Sequence, residues 1–116
     1  MEMSLQPQGA VSVLRVSNDR IDAAIAIQFK DRFRDITADV AGPVVLDLER
    51  VTFLDSSGLG AVVAARKLLG PDRVLELAAL SPAVEKVMQL TRMNTVFPIH
   101  DTVADALTAH GVAPAA

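Results

Sequence analysis

Six consecutive residues, Asp55-Ser56-Ser57-Gly58-Leu59-Gly60, place small polar groups where they could do chemistry. They follow an apolar run, Val44 to Leu48, and precede a helical pattern from about Ser57 to Leu69, so they read as the turn between a strand and a helix. A helix start offers free backbone N–H groups and the positive end of the macrodipole. A serine there has three readings: nucleophile, phosphate-loop residue, or helix cap. A nucleophile elbow needs glycine two residues before the serine, but Leu54 and Asp55 occupy those positions. A phosphate loop ends in Gly-Lys-Ser/Thr, and the nearest lysine, Lys67, lies at the far end of the helix. A serine nucleophile also needs a base, and His100 and His110 fall on the last strand and last helix. Capping remains, by Ser56 or Ser57, with Ser57 the better candidate.

The other polar candidates have structural readings. Asp47, near the end of a buried strand, raises the possibility of a phospho-accepting aspartate, but that chemistry needs an acidic pair after the first strand and a late lysine, and none follows Lys86. Asp47 is therefore read as a turn-facing strand residue. Asp31 and Arg34 form a solvated i,i+3 pair. His100 beside Asp101 reads as a surface residue, and two histidines without a further nearby ligand argue against a metal. Met88 and Met93 read as core or edge filling. No cofactor is implied.

The elements that must position the serines come from the apolar pattern. The chain has 116 residues, 51% hydrophobic but only 3% aromatic, which suits a single domain whose buried sheet is covered by helices. A net charge of −3 without a Lys/Arg patch argues against nucleic acid as a direct partner. Zero cysteines exclude disulfides and thiolate chemistry. The first residues lack a signal-peptide pattern and no stretch is long enough to span a membrane, so a soluble, cytoplasmic protein is expected. A mean hydropathy of +0.35 leaves some apolar surface for a partner.

In order, Pro7 and Gly9 mark a turn after a possible short edge strand, and Val11 to Ser17 is a β-branched strand. Arg20-Ile21-Asp22 leads into a helix capped by Asp22, with Ile25, Phe29, Phe33, Ile36 and Val40 on one stripe. Gly42-Pro43 stops it. Val44 to Leu48 is a central strand, and Glu49 to Leu54 a turn with two apolar anchors. The next helix ends at Gly70-Pro71, with Arg66 and Lys67 complementing its dipole. Arg73 to Ala78 is a strand. Ser81-Pro82 opens a helix that ends at Asn94. Val96 to Ile99 is an edge strand marked by Pro98. Thr102 with Asp105 begins a last helix, and Gly111 onward is a tail. The alternation predicts an α/β fold with a mixed, largely parallel sheet of four to five strands and four helices.

Phe53-Leu54-Asp55-Ser56-Ser57-Gly58-Leu59-Gly60, following Val44-Val45-Leu46-Asp47-Leu48, resembles the signature of STAS domains, in particular of bacterial anti-sigma-factor antagonists. Arg20-Ile21-Asp22 and Leu80-Ser81-Pro82-Ala83-Val84 agree with it, while Asp19 stands where members often carry glycine. The resemblance covers about residues 11 to 110 and implies one STAS domain over 1–116, with that stretch as its core and 111–116 as its tail. It implies that Ser56 accepts a phosphoryl group from a serine-kinase anti-sigma factor, that Asp22 and Asp55 are the flanking acids, and that a serine phosphatase resets the switch. Partner contacts then fall on Asp22, Asp55, Ser56, Ser57, Gly58 and Leu59. The unphosphorylated form binds and sequesters the kinase. The alternative within the family is a STAS subunit of a lipid-transport ABC system or a stressosome-like scaffold, in which the serine need not be modified.

Overall fold

The computed structural model describes residues 1–113. Strand β1 (Met3–Gln8) turns at Gly9, whose φ is +65°, and pairs antiparallel with β2 (Val11–Val16). The possible short edge strand before Gly9 is a full six-residue strand, and its Met3 is buried. Strands β3 (Arg20–Ile21), β4 (Val44–Asp47), β5 (Phe53–Leu54), β6 (Leu75–Ala78) and β7 (Ile99–His100) follow, with helices α1 (Ala26–Thr37), α2 (Ser56–Leu69), α3 (Pro82–Leu90) and α4 (Val103–Ala109) between and after them. The main sheet runs β1-β2-β4-β6-β7, parallel from β2 onward, so the expected mixed, largely parallel five-stranded sheet with four helices is what forms.

Helices α1, α2 and α3 cover one face of the sheet, as same-handed crossovers moving in one direction require. There Leu14, Val16, Leu46 and Leu77 meet Phe29 and Phe33 of α1, Val62 and Ala65 of α2, and Val84 and Met88 of α3. The two phenylalanine rings stack at 6.1 Å. Among the described residues, the helix on the other face is α4, whose Ala106 and Leu107 pack on Val11, Val13, Val45 and Ala78. Part of that face stays open. Among the described residues, no helix is long and apolar enough to cross a membrane.

Several boundaries differ from the sequence reading. Arg20-Ile21 forms β3, which pairs in parallel with β5 inside the stretch expected to be a turn. Asp22 therefore does not cap α1. Its Oδ1 accepts from Ala24 N at 3.1 Å in the turn before the helix, and Ile25 is the N-cap without a side-chain bond. Arg73 is not in a strand. Its guanidinium donates to Gly42 O at 2.9 Å and Thr37 O at 3.2 Å, bracing the end of α1. Helix α3 ends at Leu90 rather than Asn94, because Arg92 adopts φ +58° and Met93–Thr95 form a 3-10 turn. Strand β7 correspondingly begins after Pro98, whose carbonyl accepts from Leu77 N at 2.9 Å.

The local signals hold. Ser81 caps α3 with Pro82 next, and Thr102 Oγ1 accepts from Asp105 N at 3.0 Å to start α4. Gly70, at φ +86°, ends α2. Gly111 and Val112 are not loose: their N–H groups donate to Thr108 O and Leu107 O, a paired closure of α4 that seats Val112 on the core. The rest of the expected tail, residues 114–116, lies outside the described residues.

Candidate functional site

The start of α2 is built by one aspartate and one glycine. Asp55, not Ser57, is the N-cap: it is extended, at φ −92° and ψ −176°, and its Oδ1 accepts from Gly58 N at 2.8 Å. Its other oxygen, Oδ2, accepts from Ala23 N at 3.2 Å, so one carboxylate ties the helix start to the turn after β3. That second bond explains the choice between two capping residue types. A carboxylate offers two separate oxygens, one to each segment.

Gly58 lets the two segments approach. A Cβ on it would lie 1.9 Å from Ile21 O and 2.9 Å from Leu54 Cδ1. The helix therefore rests directly on the β3–β5 ladder, with Ile21 and Leu54 buried beneath. The exposed side of that ladder carries Arg20 and Phe53, with Asp22 beside Arg20. Arg20 lies 4.3 Å from the centroid of the Phe53 ring and pairs with Asp22 at 3.2 Å, while Phe53 keeps 41% of its surface exposed. Asp19 contributes through its backbone, its carbonyl accepting from Thr52 N at 2.8 Å and Phe53 N at 3.3 Å.

This frame presents Ser56 and Ser57 to solvent at the first two helical positions, with Leu59 half-buried behind them. Among the described residues, neither hydroxyl makes a hydrogen bond. The structure thus brings together Asp22, Asp55, Ser56, Ser57, Gly58 and Leu59, with Gly58 and Asp55 as the builders and the serines as the free groups. Arg20 and Phe53 belong to the motif segments quoted from the sequence but not to the site residues expected there; an aromatic two residues before Asp55 is the signal that could have added them.

The histidines are not beside these serines. They are engaged with Glu76, which is 5% exposed in the middle of β6. Its Oε1 meets His100 Nε2 at 2.5 Å and its Oε2 meets His110 Nε2 at 2.5 Å. Both oxygens of this one carboxylate are thus engaged by imidazole nitrogens. His100 is therefore not the free surface residue the sequence suggested. The cluster lies on the face covered by α4, and α2 covers the other. The sheet separates it from Ser56, and no general base reaches the serine from there. No group of three or more possible metal ligands occurs among the described residues.

The STAS domain family model matches residues 2–106. The chain belongs to the STAS family. A STAS relative of known structure, an anti-sigma factor antagonist from Mycobacterium paratuberculosis, is 32% identical and superposes with a TM-score of 0.82, covering 93% of this chain and 92% of that one. An anti-sigma-F factor antagonist of Mycobacterium tuberculosis is 26% identical over 106 residues, 91% of this chain and 86% of that protein. An anti-sigma F factor antagonist of Paenibacillus polymyxa is 30% identical over 66 residues, a segment that spans 56% of each chain. The STAS match begins at residue 2 and so includes β1, the strand that the sequence pattern underweighted.

Proposed function

We propose that this STAS domain is an anti-sigma-factor antagonist, a binding module that captures a serine-kinase anti-sigma factor and is switched off by phosphorylation of Ser56. The observation that carries the reading is the division of labour at the start of α2. Asp55 does the capping, which leaves the Ser56 hydroxyl exposed and unbonded at a helix N-terminus. The names of the relatives support the antagonist role.

The physical logic of the switch follows from charge. A phosphoserine adds about −1.5 to −2 charge at neutral pH, and at a helix N-terminus the dipole and free N–H groups tolerate it. The domain then keeps its fold. A partner surface shaped for a neutral hydroxyl beside Asp22 and Asp55 meets an unpaired dianion instead. Burying that charge costs on the order of several kcal/mol, and each 1.4 kcal/mol is about tenfold in affinity. The exposed ring of Phe53 supplies apolar contact area at the same corner. A serine phosphatase completes the cycle by restoring the hydroxyl.

Titration calorimetry against the cognate kinase tests this. Ser56→Ala is expected to bind as the wild type does and to resist phosphorylation, whereas Ser56→Asp binds at least about tenfold more weakly. Equal affinity of the two variants, or phosphate incorporation into Ser56→Ala, removes the switch from this position.

A further inference from the structure

On the sheet face opposite α1–α3, between β1 and the starts of α3 and α4, lies an open groove of about 760 Å³. Its size falls within the range of small-molecule sites. It sits at the carboxyl ends of β4 and β6, where ligands of α/β sheets characteristically bind. Its floor holds two opposite charges that do not satisfy each other. Arg15 of β2 and Asp47 of β4 are partners in strand register and point to the same face. Neighbouring strands are only about 4.8 Å apart. Yet no ion pair joins the two among the described residues, and the Nε of Arg15 is buried without a hydrogen-bond partner. Asp47 is 7% exposed, and its Oδ1 accepts from Glu49 N at 3.0 Å. The groove wall also contains Ala79, a non-glycine residue held at φ +59°. Strain of this kind concentrates at ligand sites.

We infer that this groove binds a small zwitterion, its carboxylate on the Arg15 guanidinium and its ammonium on Asp47. Glu49 and Asp101 also line the groove, so a simple anion would face three carboxylates for one arginine. A simple cation would leave the buried Arg15 Nε unpaired, which is costly in a site withdrawn from water. A molecule carrying both charges relieves both problems, and the planar guanidinium is suited to a carboxylate. Ser4 and Gln6 of β1 face the same side as Arg15 and offer uncharged polar groups to the remainder of such a ligand. The site is independent of Ser56, which lies at the start of a helix on the other face.

The test is an NMR titration of the 15N-labelled protein with glycine, L-serine and L-glutamine, following the side-chain Nε–Hε resonance of Arg15 and, for Arg15→Gln, the backbone amide resonances of Asp47 and Glu49. Acetate and methylammonium serve as the single-charge halves. At least one amino acid is expected to shift that resonance saturably, each half is expected to do so at least tenfold more weakly, and Arg15→Gln and Asp47→Asn are each expected to lower affinity at least tenfold. The inference fails if none of the three amino acids moves the resonance, if acetate alone reproduces the effect, or if folded Asp47→Asn binds as the wild type does. The first two outcomes need no variant to fold.

Discussion

At the start of α2 a half-exposed carboxylate, Asp55, holds two backbone N–H groups and leaves the neighbouring side chains free. In the middle of β6 a buried carboxylate, Glu76, holds two imidazoles and leaves nothing free. The first arrangement is built from backbone and small residues, so the surface above it can be modified without disturbing what lies below. The second joins β6, β7 and α4 through side chains alone, so any change to it is a change to the fold. A corner that leaves its hydroxyls free and a clamp that engages both of its oxygens need opposite kinds of construction.

The comparison breaks most readily at Gly58. Gly58→Ala forces a Cβ to within 1.9 Å of a backbone carbonyl that cannot swing aside as a flexible side chain would. A loss of about 3 kcal/mol or more is expected, placing it among the severe core substitutions. Urea unfolding measures this, and a loss below 1 kcal/mol, roughly the effect of an ordinary substitution, would show that β3 yields easily.

The clamp comes next. Replacing both His100 and His110 by alanine strands the Glu76 carboxylate, and about 2 to 3 kcal/mol should be lost at neutral pH. Glu76→Ala should cost less, because the two rings, with 19% and 25% of their side-chain surface exposed, can turn toward water. Unfolding curves of the two variants decide it. The reverse order would mean that Glu76 acts mainly by filling space.

The smallest effects separate the three polar residues at the helix start. Asp55→Ala should cost about 1 to 2 kcal/mol through loss of the cap. Ser56→Ala and Ser57→Ala should each stay within about 0.5 kcal/mol of the wild type, as ordinary surface substitutions do. Thermal melts of the three variants rank them. A Ser57→Ala loss equal to that of Asp55→Ala would return the capping role to Ser57.

What the sequence revealed divides along the same physical line. Ser81-Pro82, Thr102 with Asp105, and Gly70-Pro71 act within one helical turn of themselves, and each ended or began a helix where expected. The polar cluster was found for the same reason. Its internal roles were not, since Asp55 and Ser57 are both good caps and the decision came from Ala23, 32 residues away from Asp55. The β3–β5 ladder is two residues on each side, too short to show an alternating pattern. Glu76 was visible only as a charged residue inside Leu-Glu-Leu-Ala. Its partners lie 24 and 34 residues downstream, on elements whose approach no local pattern encodes.

The sheet ends in two unlike borders, and they bear on how the protein behaves at high concentration. Strand β7 offers only two residues to an incoming chain. Strand β1 is six residues long but carries Pro7, which has no N–H to give, and alternates with the polar Ser4, Gln6 and Gln8. Short borders and proline are devices by which β-proteins resist sheet-to-sheet growth. This chain, rich in aliphatic side chains and poor in charge, thereby limits the backbone templates through which it could polymerise.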